Sequence, residues 1–222
     1  MSTNSGRSSQ KHEQALLDLL RPAHVIPVLT IERVEDAVPL ARALVKGGVR
    51  VLEITLRTEA AVDAASAIIA DVPEAIVGIG TVLSPGDLAR AGALGARFAI
   101  SPGATPELLD AAAAGGLPFM PGIATASELM QAQARGFNLV KFFPAEQAGG
   151  LKALRALGGP FPQVRFCPTG GIGESNAASW LAEPNVVAVG GSWLCPTAEI
   201  RSGNWAGITA ICDRTMKMLE RK

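Results

Sequence analysis

Tyrosine is absent from this chain of 222 residues, histidine occurs only at His12 and His24, and aromatic residues make up 5% of the total. With no histidine beyond the start of the chain, a Ser-His-Asp triad or a histidine-based metal centre has little to be built from. Acid and base chemistry falls to Glu, Asp, Lys or Cys. Cys167, Cys195 and Cys212 are odd in number and show neither zinc-ligand nor CxxC spacing, which argues against a disulfide framework and a structural metal and fits a reducing cytoplasm. Net charge is missing as well: 20 basic residues cancel 20 acidic ones, so no long-range field favours nucleic acid or an anionic membrane as partner. No uninterrupted apolar run reaches the roughly 18 residues of a spanning helix. Met1 to Lys11 is polar and lacks an apolar signal core, so residues 1–11 read as a disordered tail before a single domain over residues 12–222.

What the chain has is apolar residues, at 48%, arranged in a repeating pattern that can bury one sizeable core. Short β-branched runs alternate with longer Ala- and Leu-rich stretches. The runs are His24 to Thr30, Val49 to Thr55, Ala75 to Thr81, Arg97 to Ser101, Leu117 to Pro121, Asn138 to Phe142, Val164 to Pro168 and Val186 to Gly190. Helices are expected at Arg33 to Lys46, Glu59 to Asp71, Ser84 to Ala93, Thr105 to Ala114, Ala126 to Ala134, Leu151 to Leu157, Glu174 to Leu181 and Trp205 to Arg221. Ser84-Pro85 and Ser175-Asn176 look like helix starts, and Gly47-Gly48, Gly92, Gly115-Gly116 and Gly136 look like helix ends. Eight strand-helix units with near-continuous apolar strands predict an α/β fold, a (β/α)8 TIM barrel with eight parallel strands; a doubly wound open sheet is the alternative.

Charged residues inside such strands are costly, so the exceptions point to chemistry. Glu53 lies within Val49 to Thr55, Arg57 follows it at the same parity, and Lys141 sits within Asn138 to Phe142. All fall toward the C-terminal strand ends, where barrel enzymes build their sites. A nucleophilic amine must be uncharged, and apolar neighbours such as Leu139, Val140, Phe142 and Phe143 favour that form of Lys141. Arg57 could be a nearby cation acting in the same direction. Glu53 could equally be an ion-pair partner that holds the lysine charged and inert. Pro168-Thr169-Gly170-Gly171-Ile172 and Gly190-Gly191-Ser192-Trp193 follow the last two strands, where this fold commonly places a phosphate on backbone amides. Gly78, Gly80 and Thr81 close the third strand, and Ser101-Pro102-Gly103 and Pro121-Gly122 close the fourth and fifth.

Together Glu53-Ile54-Thr55-Leu56-Arg57-Thr58, Gly80-Thr81-Val82-Leu83, Lys141-Phe142-Phe143-Pro144-Ala145-Glu146 and the two glycine loops resemble the 2-keto-3-deoxy-6-phosphogluconate (KDPG) aldolase family of Entner-Doudoroff sugar breakdown, over nearly the whole chain after the tail. The resemblance implies a class I aldolase that forms pyruvate and glyceraldehyde 3-phosphate, with 4-hydroxy-2-oxoglutarate as a second substrate. It implies that Lys141 forms a Schiff base, that Glu53 is the general acid and base, and that Arg57 and Thr81 hold the pyruvate half. Pro102, Phe143 and Thr169 join them as substrate-binding candidates, and Gly170, Gly171, Gly191 and Ser192 as phosphate ligands. The implied enzyme is a metal-free, cofactor-free homotrimer acting on a phosphorylated keto acid. The chain departs from the family pattern in its long tail, in Leu29-Thr30 and in Ala124.

Overall fold

The structure is a computed structural model that describes residues 13–220. The expected tail, residues 1–11, lies outside the described residues. Chain order runs α1 (residues 13–20), β1 (Val25–Leu29), α2 (Val34–Lys46), β2 (Val51–Thr55), α3 (Ala61–Asp71), β3 (Ile76–Gly80), α4 (Pro85–Ala93), β4 (Phe98–Ile100), α5 (Pro106–Ala114), β5 (Phe119–Met120), β6 (Gly122–Ile123), α6 (Ala126–Gln133), β7 (Leu139–Phe142), α7 (Gly150–Gly158), β8 (Arg165–Pro168), α8 (Ala177–Leu181), β9 (Val189–Gly191), α9 (Thr197–Arg201) and α10 (Trp205–Glu220). Every expected strand and helix has a counterpart within a few residues, while α1 and α9 were not anticipated.

All ladders are parallel, so the fold is α/β. One sheet has the order β5-β4-β3-β2-β1-β9 and the other β6-β7-β8. Successive strands add on one side of their predecessor, unlike a doubly wound sheet, in which the order reverses at a switch point. Continuous ladders do not run around eight strands as expected. They divide at Pro121, between β5 and β6, because proline has no N–H to give a neighbour. Beyond β8 only the single bridges Phe166↔Val186 and Thr169↔Gly190 reach the β9 segment.

The sheets are nevertheless curled around a shared interior. Alternate residues of strands from both sheets, Ile26, Val51, Phe98, Ile100, Met120, Leu139 and Cys167, meet in one buried cluster. Leu16, Leu17 and Leu20 of α1 belong to the same cluster, so this helix covers apolar strand residues that solvent would otherwise reach. Phe98 fills the space opposite its ladder partner Gly78, where any side chain would collide with the ring. Helices cover the other face through a larger apolar cluster that includes Leu40, Leu52, Ile54, Val140, Phe142 and Trp180.

Helix ends follow the expected chemistry in part. Ser84 caps α4 by accepting a 3.1 Å hydrogen bond from Asp87 N, and Thr125 with Glu128 forms a reciprocal capping box on α6. Gly48 and Gly136 adopt left-handed φ of +89°. Gly92 lies inside α4, and it is Gly95, at φ +82°, that takes the left-handed turn. Gly115 is extended, and Asn176 makes no side-chain bond to the start of α8.

Candidate active site

The alternation of side chains along a strand places Glu53 and Lys141. On β2, Val51 points into the interior cluster, so Glu53 and Thr55 share its side; on β7, Leu139 does the same for Lys141. The two charges meet across the interior. Lys141 Nζ donates to Glu53 Oε1 at 3.0 Å and lies 3.4 Å from Oε2. Their side chains are only 4% and 2% exposed, so water contributes almost nothing to solvating either group. A side chain at Gly80 would run into the Glu53 carboxylate, which explains a glycine at the end of β3.

Burial of an ion pair is costly in free energy unless geometry and further hydrogen bonds compensate, so a lone buried Lys-Glu pair is weak support for stability. The same cost keeps the thiol beside it neutral. Cys167, the ladder partner of Lys141, has its pKa pushed from 9.0 up to about 12, first by burial, with Lys141 lowering it and Glu53 raising it. Burial likewise raises Cys195 and Cys212 to about 12. Above an ordinary thiol pKa the unfolded chain therefore holds fewer protons than the native one, and stability falls as pH rises through that window. Each fully buried thiol is expected to cost about 1.4 kcal/mol at about pH 10, and urea titrations of the wild type and Cys167→Ala should diverge by about this amount between pH 8 and 10.

A cavity of about 330 Å³ opens beside the pair. Arg57, Phe143, Thr169, Gly170, Gly171, Gly191 and Ser192 line it, bringing together seven of the sequence-predicted residues. Phe143 lines the cavity, and the centroid of its ring lies 5.4 Å from Lys141 Nζ. Arg57 Nε donates to Thr81 Oγ1 at 3.1 Å, and its Nη groups make no hydrogen bond among the described residues. Thr81 holds a left-handed φ of +59°, uncommon for a threonine. The hydrogen-bonded partner of Lys141 is the Glu53 carboxylate. Pro102 stands outside the lining, with its carbonyl carbon and oxygen pressed against Gly122, the ladder partner of Lys141.

The glycine loops are shaped by close approach. Gly170 and Gly171 take φ of +102° and +74°, and a side chain on Gly171 would strike Glu146. A side chain on Gly191 would strike the Trp193 ring, and one on Gly190 the Thr169 side chain. The remaining wall, Val28, Thr30, Ile172, Cys195, Thr197 and Ile200, was missed. Thr30 carried a signal, a hydroxyl at the end of the first strand. Thr55 donates its hydroxyl proton to Leu29 O at 2.8 Å, so in the 3.2 Å pair with Thr55 it is Thr30 that donates, leaving its oxygen free to accept toward the cavity. Thr197 and Ile200 belong to α9, whose five residues are too short to show a helical period.

Comparison with known proteins places the chain among aldolases. The family model described as "Aldolase: KDPG and KHG aldolase" matches residues 16–211. The KHG/KDPG aldolase of Escherichia coli is 55% identical over 199 residues, 90% of this chain and 93% of that protein. The KDPG aldolase of Legionella pneumophila, solved with pyruvate captured at low pH as a covalent carbinolamine intermediate, superposes with a TM-score of 0.86 at 46% identity, over 97% of this chain and 99% of the other. The aldolase of Zymomonas mobilis ZM4, solved with 3-phosphoglycerate, gives 0.86 at 44% identity over 90% and 94%. Buried lysine and glutamate, a cavity edged by an arginine and two glycine loops, and matches that run through all the elements carrying them have one common explanation: the chain belongs to the KDPG and KHG aldolase family.

Proposed function

We propose that this protein cleaves 2-keto-3-deoxy-6-phosphogluconate to pyruvate and glyceraldehyde 3-phosphate through a Schiff base on Lys141, and that it also accepts 4-hydroxy-2-oxoglutarate. The observation that carries the reading is the buried 3.0 Å contact of Lys141 with Glu53, beside Phe143 of the cavity wall. Amine and carboxylate so placed exchange a proton without reorganising solvent. The pyruvate carbinolamine of the Legionella relative supports it, since a carbinolamine is what an amine and a ketone form.

The Nη groups of Arg57, unbonded among the described residues, hold the substrate carboxylate while Thr81 fixes the guanidinium through Nε. Glu53 takes a proton from the Lys141 ammonium, and the amine attacks the C2 carbonyl carbon. The protonated Glu53 then gives its proton to the carbinolamine hydroxyl, which leaves as water from a protonated imine. Again a carboxylate, Glu53 takes the C4 hydroxyl proton, directly or through one water, as the C3–C4 bond breaks and its electron pair enters the iminium to give an enamine. Glyceraldehyde 3-phosphate departs, Glu53 returns the proton to C3, and hydrolysis frees pyruvate. The iminium is the electron sink, so the scheme calls on no metal ion. Phe143 and Thr169 flank the reacting carbons, Pro102 shapes the β4 end behind them, and Gly170, Gly171, Gly191 and Ser192 hold the phosphate through backbone amides and the Ser192 hydroxyl.

The same reading takes residues 12–222 as one domain and closes the two sheets into an eight-stranded barrel, with β5 and β6 as halves of one strand and the Phe166↔Val186 bridge as the last seam. It makes the working form a homotrimer. No helix among the described residues is long and apolar enough to cross a membrane, and three free, buried thiols support a reducing cytoplasm as its compartment. Borohydride reduction in the presence of pyruvate is expected to add one reduced pyruvyl group at Lys141, located by peptide mass spectrometry. No added mass there would leave Lys141 and Glu53 an inert ion pair.

A further inference from the structure

The motif that carries Lys141 ends at Glu146, and the chemistry above gives that residue nothing to do. Its position is specific. Glu146 Oε1 accepts from Trp180 Nε1 at 3.1 Å and from Asn176 Nδ2 at 3.3 Å. Asn176 in turn holds the first glycine loop at two points, donating from Nδ2 to Gly171 O at 3.1 Å and accepting at Oδ1 from Gly173 N at 2.8 Å. Backbone bonds run alongside: Ala145 N donates to Thr169 O at 2.8 Å and Glu146 N to Gly170 O at 3.1 Å. The Trp180 ring is fully buried and lies 6.4 Å from Phe142, the neighbour of Lys141 in sequence. One carboxylate therefore ties the strand bearing the amine to the loop bearing the glycines.

We infer that Glu146 is a positioning residue for the phosphate end of the substrate: by orienting Asn176 it fixes the left-handed Gly170-Gly171 turn at a set distance from Lys141. This rests on the proposed reaction and deepens it. Two features favour a positioning role over simple stability. Asn176 does not cap α8, so its side chain is committed to the loop. The Gly171 amide and carbonyl also lie in a turn that only glycine holds without strain, at φ +74°, and such a turn needs outside bonds to prefer one geometry. A loop fixed in advance spares substrate binding the ordering cost that a free loop would add.

The test compares two substrates. In E146A, KM for 2-keto-3-deoxy-6-phosphogluconate should rise about tenfold or more while kcat stays within about twofold. The KM for 4-hydroxy-2-oxoglutarate, which has no phosphate, should stay within about twofold, and competitive inhibition of its cleavage by inorganic phosphate should weaken in parallel with the first KM. E146Q keeps an acceptor oxygen for both N–H groups and should recover most of the loss. W180F keeps the buried ring and removes one of the two bonds; it should move the same ratio in the same direction by less, and it serves if E146A does not fold. Equal losses for both substrates, or a glutamine variant no better than alanine, would overturn the inference. Pyruvate trapping at Lys141 should be unchanged in every variant, whereas its failure in the wild-type protein would strike the proposed reaction instead.

Discussion

Lys141→Ala is expected to lose at least about four orders of magnitude in turnover of 2-keto-3-deoxy-6-phosphogluconate, because no other group can supply the covalent electron sink. A coupled assay for pyruvate measures it. Loss of activity alone would not separate chemistry from folding, since removing one member of a buried pair leaves its partner uncompensated at a cost of about 3–5 kcal/mol. The separation comes from replacing both. Lys141→Met with Glu53→Leu fills a 4%- and 2%-exposed site with apolar groups of similar volume, and such exchanges are neutral or stabilising by about 1–4 kcal/mol. The double variant should therefore match or exceed the wild type in thermal stability and have no measurable turnover. A doubly substituted protein that is markedly less stable would make the pair structural. Any retained turnover would end the Schiff-base account.

This use of buried charge is what made the site legible in sequence. Val51-Leu52-Glu53-Ile54-Thr55 and Leu139-Val140-Lys141-Phe142 are strands whose single charged residue violates an otherwise apolar pattern, and both violations proved to be the same contact. Strand parity put Glu53, Thr55 and Arg57 on one face; that Glu53 shares the interior side with Val51, and Lys141 with Leu139, comes from the fold. The distance could not be read, because parity fixes a face and says nothing of which strands oppose one another across it. Hence the bond of Arg57 to Thr81 and its place in the cavity wall emerge only from the fold. Local chemistry misled in a different way. Ser175-Asn176 has the composition of a helix cap, yet Asn176 spends both polar atoms on the glycine loop and on Glu146, a competition that only the fold creates. The α1 helix was passed over although Leu16, Leu17 and Leu20 carry its apolar face, because eight residues make little more than two helical turns and show hardly any period. Pro121 interrupts a strand whose apolar run looks unbroken, for want of one N–H.

Glu53→Gln should lower kcat for carbon-carbon cleavage by about 10²- to 10⁴-fold while still permitting slow trapping of pyruvate on Lys141. The amide preserves an oxygen 3.0 Å from the amine and the fill of the space beside Gly80, so side-chain shape and the hydrogen bond persist. What it removes is the ability to carry a proton, first from the ammonium and then from the C4 hydroxyl. Glu53→Ala differs in removing the partner itself, and it should cost about 3–5 kcal/mol of folding free energy, more than the glutamine variant. An inert ion pair predicts the reverse ranking of effects: turnover would fall only as far as the folded fraction falls, so a folded glutamine variant would cleave nearly at the wild-type rate. Measuring the single-turnover rate on protein shown to be folded decides between them, because neither substitution changes a residue that lines the cavity. Unimpaired cleavage by folded Glu53→Gln would take proton transfer away from the one carboxylate that reaches Lys141 among the described residues, and the acid and base of the reaction would have to be sought in water entering through the cavity.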